Sequence, residues 1–246
     1  MWYELIKSMG AILSFSTLGI LISLIALEIV LSADNAMALA ALVQHLENSN
    51  ERDLALNCGL GLAFILRITL ILTSTWVIQF WQFELLGSFY LLWLSGKYFW
   101  QRFWVRELNF DAIESNNYQS NWLWQIIPAI ALTDLAFSLD SVTTAVALSS
   151  KVFLILAGGI IGVIALRFLA ELFVQWLTEF TYLEDAAYLT IFFVGMRLFA
   201  KVLVPVYVIP EWLMIISIIT LFSWGFSKRV FPQVATITSS YHFEKK

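Results

Sequence analysis

Two short stretches place acids where a bilayer-crossing chain accommodates them least. ALEIVLSADNAMALAAL (26–42) sets Glu28, Asp34 and Asn35 in an otherwise apolar run, and ALTDLAFSLDSVTTAVAL (131–148) does the same with Asp134, Asp140 and Ser141. Aligned, EIVLSADN (28–35) and DLAFSLDS (134–141) share one pattern: an acid, two apolar residues, a bulky residue, Ser32 or Ser138, an apolar residue, an Asp and a short polar residue. A charge at the bilayer centre costs about 2.5–3.5 kcal/mol on insertion scales, so four carboxylates in two apolar runs require compensation. With the oxygens of Ser32, Asn35, Ser138 and Ser141 they form a hard-oxygen ligand set with neither Cys nor His. Such a set suits Mn²⁺, Mg²⁺ or Ca²⁺ and disfavours thiolate-binding metals. His45 stands near the end of its run and outside this set.

At about 100° per residue, Glu28, Ser32 and Asn35 share one helix face, as do Asp134, Ser138 and Ser141. Asp34 and Asp140 then point about 120° away from the first acid of each motif. Either the polar face is broad or the helix loosens at SAD and SLD, as transporter helices do where backbone lines a cavity. Thr133 and Thr144 lie near Asp140 on the wheel and could brace either arrangement.

The elements that must position these residues are membrane helices. Of the 246 residues, 60% are hydrophobic and 13% charged, with a mean hydropathy of +0.81, more apolar surface than one soluble domain can hide. A span needs about 20 mainly apolar residues, and seven such runs occur, at 16–44, 54–80, 84–104, 122–149, 152–180, 186–206 and 208–226. They are continuous rather than alternating, which favours helices over a barrel. MWYELIKSMG lacks the basic start and small-residue cleavage site of a removed signal, so the first run reads as an uncleaved span. A single Cys58 excludes an internal disulfide and any multi-cysteine metal site. The net charge of −4, without a basic cluster in a folded region, does not suggest a nucleic-acid partner.

The doubled motif belongs to a longer repeat. Gly59 and Arg67 in the next run match Gly159 and Arg167 at the same separation, and Gly96-Lys97 lies opposite Gly195-Met196-Arg197. Three spans recur in order, so the expected fold is an all-α polytopic membrane protein of seven transmembrane helices, two inverted three-helix repeats plus one extra helix. The expected divisions are a first repeat over 1–105, a polar linker over 106–121, a second repeat over 122–206, and a seventh helix with a short cytoplasmic tail over 207–246. Arg52, Arg102, Arg106, Lys228, Arg229, Lys245 and Lys246 then fall on the cytoplasmic side, which places the amino terminus outside and the carboxyl terminus in the cytoplasm. Arg67, Arg167, Lys97 and Arg197 are expected to balance the acids, Glu171 to pair with Arg167 one turn away, and the tryptophans near span ends to sit at headgroup level.

EIVLSADN and DLAFSLDS, each followed by an arginine in the next span, resemble the paired signatures of the TerC family of integral membrane proteins, named for tellurite resistance. The resemblance covers 16 to about 226. It implies the seven-span inverted-repeat fold, distantly similar to the lysine-exporter superfamily, and a link to metal-ion homeostasis, especially manganese export, with plastid members tied to thylakoid membrane biogenesis. The family's acidic motif positions fall on Glu28, Asp34, Asn35, Asp134, Asp140 and Ser141 of this chain.

The expected activity is therefore secondary transport of a divalent cation, with Mn²⁺ first and Mg²⁺ or Ca²⁺ next, out of the cytoplasm across a plasma (inner) or thylakoid membrane. Glu28, Asp34, Asn35, Asp134, Asp140 and Ser141 would hold the ion, and Arg67 and Arg167 would tune the carboxylates. There is no G-x-x-x-x-G-K-[ST] sequence and no catalytic constellation in the short loops, so the expectation is a non-enzyme without cofactor, driven by a gradient, with protons as the expected coupling ion. Its partners would be the bilayer, the cation, protons, and other membrane proteins or further copies. The alternative is a membrane-protein biogenesis scaffold with a structural acid cluster, and a third, weaker option suggested by distant fold analogy is an amino-acid exporter.

Overall fold

The computed structural model describes residues 15–46, 48–105, 122–148, 152–204 and 211–229. The expected linker over 106–121 and the tail beyond 229 lie outside them. The described chain forms α1 (Phe15–Val43), α2 (Ser49–Leu72), the single turn α3 (Ser74–Val77), α4 (Trp81–Trp100) running into a π-helical turn (Gln101–Val105), α5 (Trp122–Leu148), α6 (Val152–Glu179), α7 (Leu183–Leu203) and α8 (Glu211–Gly225). Among the described residues there is no strand, only an isolated bridge between Phe180 and Arg229. Helices follow from the apolar surroundings, because a backbone out of reach of water must satisfy its N–H and C=O groups within one segment.

A helix coincides with each apolar run of the sequence, with shifted ends. α2 starts at Ser49 rather than 54 because the Asn48 side chain caps it, accepting from the Asn50 amide at 3.1 Å. It stops at Leu72, where the hydroxyls of Thr73 and Ser74 turn back onto the carbonyls of Thr69 and Ile71, both at 2.7 Å. Among the described residues, four stretches are long and apolar enough to cross a bilayer: Ser49–Leu72, Leu123–Val146, Val152–Glu179 and Leu183–Leu203. Ser32–Val43 of α1 and Trp212–Gly225 of α8 are apolar but shorter.

Packing joins the two halves of the chain. α1 lies mainly against α6, α2 against α5 and α4 against α7, whereas the consecutive pairs α1–α2, α5–α6 and α6–α7 make little contact. α1 is the central helix, and every residue from Asp34 to Ala41 is buried. Ala36, Ala38, Ala40 and Ala41 let neighbouring helices approach it closely, the usual device where lipid leaves packing rather than water expulsion to drive association. Outward faces carry Trp76, Trp81, Trp100, Trp104, Trp124 and Trp212, all exposed.

The close approach of α2 to α5 depends on Gly59, where an added Cβ would come within 2.7–2.9 Å of the Ile130 side chain, while one at Gly61 would meet nothing within 4 Å. Gly59→Ala is expected to lower stability by about 1–3 kcal/mol through overpacking, and Gly61→Ala to change it by less than about 0.5 kcal/mol. Thermal unfolding of the two variants in detergent checks the contrast; equal melting temperatures would contradict it.

Candidate cation site

Both acidic motifs lie on unbroken helix, so the polar face is broad and neither SAD nor SLD is unwound. The two threonines do other work. Thr133 Oγ1 lies 3.1 Å from the Tyr90 hydroxyl, docking α4 on α5, and Thr144 donates to the Asp140 carbonyl at 3.0 Å.

The acids sort into two networks. In the first, the Arg67 guanidinium stands between the leading acids of the two motifs, Nη1 pairing with Glu28 Oε1 and Nη2 with Asp134 Oδ1 at 3.0 Å. Asn35 Nδ2 donates to Asp134 Oδ1 at 2.7 Å, and the Asn35 amide donates to Asp34 Oδ1 at 2.9 Å. Ser138 Oγ reaches Asp134 Oδ2 at 3.4 Å. Asp134 is wholly buried, and Asp34, Asn35 and Arg67 nearly so. In the second network Asp140 accepts from Arg197 Nη1 at 2.7 Å and from Lys201 Nζ at 3.1 Å, and Lys201 also reaches Glu84 at 3.0 Å.

These networks differ in charge. With all groups ionised, the second balances two carboxylates against two cations. The first sets Glu28, Asp34 and Asp134 against Arg67 alone, a deficit of two positive charges. Asp34 makes no direct ion pair among the described residues, although Arg197 lines the same cavity. A cavity of about 80 Å³ opens between the networks, lined by Glu28, Ser32, Asp34, Asn35, Asp140 and Ser141, with Arg67 and Arg197 at its wall. Two buried oxygens beside it, Ser32 Oγ and Asn35 Oδ1, find no hydrogen-bond partner among the described residues. Buried polar atoms are rarely left so, and here both are hard acceptors next to an uncompensated carboxylate.

Five of the six expected ligands thus share one cavity. Asp134 stands behind it, holding Arg67 and Asn35. The expected convergence of four carboxylates does not occur: among the described residues no three His, Cys, Asp or Glu side chains are grouped to hold an ion. The physical reason is the intervening cations, since Arg67 and Arg197 each neutralise acids that would otherwise repel one another.

Arg67 and Arg167 are not equivalent, contrary to the sequence pairing. Arg167 bonds Asn57 at 2.7 Å and Glu171 at 3.0 Å, the turn-spaced pair expected, and lies 3.6 Å from Asp53. All are away from the motif acids. On α6 the residue against Glu28 is Gly162, five positions earlier, where a Cβ would fall 2.2 Å from Glu28 Cγ. Lys97 likewise stands apart, its ammonium 5.5 Å from the centre of the Trp93 ring. His45 pairs with Glu184 at 3.4 Å beyond the end of α1. Glu84 and Lys201 were not singled out by sequence; the signal was Arg197 and Lys201 at i,i+4 on one apolar helix, two bases facing one direction.

A family model described as "Integral membrane protein TerC family" matches residues 14–233. The membrane protein YceF of Bacillus subtilis is 36% identical over 183 residues, covering 73% of this chain and 70% of that protein. YkoY of the same organism is 34% identical over 195 residues, and the match takes in 73% of this chain but only 59% of YkoY. The inner membrane protein YgdQ of Escherichia coli is 32% identical over 160 residues, 59% of this chain and 65% of the other. No solved structure matches.

Removing the shared guanidinium leaves two buried carboxylates facing each other, and breaking such a pair costs about 3–5 kcal/mol. Arg67→Gln is expected to lose that much, with part restored by adding Glu28→Gln. Arg167→Gln, in a partly exposed cluster, should cost only about 0–1 kcal/mol. Unfolding midpoints of the three variants in detergent test this ordering, and an Arg167 variant as unstable as the Arg67 variant would overturn it.

Proposed function

The chain belongs to the TerC family of integral membrane proteins, and we propose that it is a secondary transporter exporting a divalent cation, with Mn²⁺ as the favoured cargo. The observation that carries this reading is the two-charge deficit around Arg67, placed beside a cavity with two unpartnered hard oxygens. A monovalent ion would leave half that deficit; a divalent ion removes it. Asp34 binds the cation, Ser32 Oγ, Asn35 Oδ1 and Ser141 Oγ complete its shell from the cavity wall, and Glu28 joins when Arg67 leans toward Asp134.

Two protons on the same carboxylates neutralise the site equally well, which makes exchange of one cation for protons the natural coupling. Each form of the site is then electrically balanced, and a half-loaded site is disfavoured in low dielectric. Cross-packing of α1 on α6, α2 on α5 and α4 on α7 supports an inverted-repeat arrangement of seven spans, since a twofold axis that exchanges the halves pairs helices in this way. The amino terminus is assigned to the outside and the carboxyl terminus to the cytoplasm by the distribution of basic residues. The inner-membrane description of YgdQ supports a plasma-membrane location in bacteria.

In proteoliposomes holding only the full chain, radioactive Mn²⁺ should move opposite to protons flowing down an imposed gradient. Asp34→Asn keeps the shape and removes the charge; even outer partners of a metal site cost about 10–100-fold, so flux should fall at least that far while insertion and abundance hold. Near-normal flux in this variant would remove Asp34 from the site. Copurification of nascent membrane proteins with no flux in the wild type would instead favour the scaffold reading.

Binding is also expected to release protons and to tighten as pH rises, because a carboxylate must be ionised to ligate a metal. Calorimetry of Mn²⁺ binding in buffers of different ionisation enthalpy reads the proton release directly. The same heat in every buffer, corrected for dilution, would contradict proton exchange.

A further inference from the structure

The cavity at Asp34 has a charged neighbour on the side of residues 74–84. A second cavity, of about 150 Å³, is lined by Ser74, Gln79, Glu84 and Thr143 together with Leu139 and Val142 of α5. The same turn of α5 divides the two spaces: Leu139, Val142 and Thr143 face this vestibule, whereas Phe137, Asp140 and Ser141 face the cation cavity. One side chain crosses the divide. Lys201 places its ammonium 3.0 Å from Glu84, which lines the vestibule, and 3.1 Å from Asp140, which lines the cavity.

We infer that Lys201 is a charged gate between vestibule and cavity, its ammonium exchanging between Asp140 and Glu84 as the route closes and opens. This rests on the cation-cavity reading above but adds two residues to it. A cation leaving Asp34 toward the vestibule must pass Asp140, where the ammonium occupies Oδ1 and Arg197 occupies Oδ2. With both oxygens taken, the ion finds no free carboxylate there and is repelled by the ammonium in its closed position. Among the described residues Arg197 pairs only with Asp140, through a planar guanidinium, while Lys201 has a second carboxylate within bonding distance and a flexible four-carbon stem. Moving onto Glu84 costs the ammonium one of two equivalent partners and frees an oxygen of Asp140 for the passing ion. Glu84 is thus a positioning residue, the resting place that lets the gate open.

The test uses full-length protein in lipid vesicles, with Cys58→Ser and a reporter thiol at Ser141→Cys in the cavity, or Ser32→Cys if the first does not fold. The rate of modification by a small cationic thiol reagent is compared with that by an uncharged reagent of the same size. Lys201→Met should speed the cationic reaction about tenfold or more, as loss of one repelling charge at close range predicts, with a much smaller change for the uncharged reagent. Glu84→Gln should slow the cationic reaction, because the ammonium then stays on Asp140; adding Lys201→Met to it should restore fast labelling, a rescue that a purely structural pair would not show. Cationic rates unchanged by Lys201→Met, or a double variant as slow as Glu84→Gln alone, would overturn the gate. Mn²⁺ flux measured in parallel vesicles that hold Cys58→Ser protein with Ser32 and Ser141 intact separates the two readings: gated labelling without flux removes the cargo assignment and leaves the gate, while flux with ungated labelling removes the gate and leaves the cargo.

Discussion

One guanidinium holds the centre of this protein together. Arg67 lies between Glu28 of α1 and Asp134 of α5, the leading acids of two motifs that are 106 positions apart. In a low-dielectric interior neither acid could be ionised alone, and the two together would repel. The requirement that α2 deliver this base to both explains the local packing: α2 comes close to α5 through Gly59, and α6 comes close to α1 through Gly162, where any side chain would displace Glu28. Asn35 then ties the back of Asp134 to α1, and its own amide carries Asp34 into the cavity.

The two halves pair helix against helix, and their charges are placed unequally. A second arginine at the place of Gly162 would halve the two-charge deficit. The chain instead has Arg167 five residues further along α6, turned to Asn57, Asp53 and Glu171. The base that the second half does supply comes from α7, where Arg197 and Lys201 neutralise Asp140 and Glu84. In the proposed transport cycle, a balanced network beside an unbalanced one gives direction: the cation would be attracted to Asp34 and would then pass a region that offers carboxylate oxygens only when a cation already there moves aside.

Much of this was legible in the residues themselves. Composition and uninterrupted apolar runs demand membrane helices, because a backbone in lipid has no other soluble partner for its polar groups. The doubled acid–Ser–Asp pattern marks the two helices whose buried carboxylates need compensation, because such groups are costly in an apolar interior. Helix ends were less legible: Asn48 starts α2 five residues ahead of the apolar run, since a cap acts through one local hydrogen bond that hydropathy does not register.

Which charges meet was decided only by the tertiary structure. Sequence alignment treats Arg67 and Arg167 as partners, but a displacement of five residues along a helix is about 7.5 Å of rise with a rotation of about 140°, enough to take a guanidinium from the core to the rim. Spacing along each helix left open a broad polar face or a loosened helix at SAD and SLD, and the unbroken helices decided for the broad face. Whether those faces would gather four carboxylates or divide them around Arg67 and Arg197 depends on the depth and rotation of α2 and α7 against α1 and α5, quantities set by Gly59, Gly162 and the alanines of α1 through close packing. Coulomb energy in low dielectric changes by several kcal/mol over a few ångströms, so the pairing follows the packing, and Asp34, the motif carboxylate without an ion pair among the described residues, could be identified only once the partners of Glu28, Asp134 and Asp140 were known.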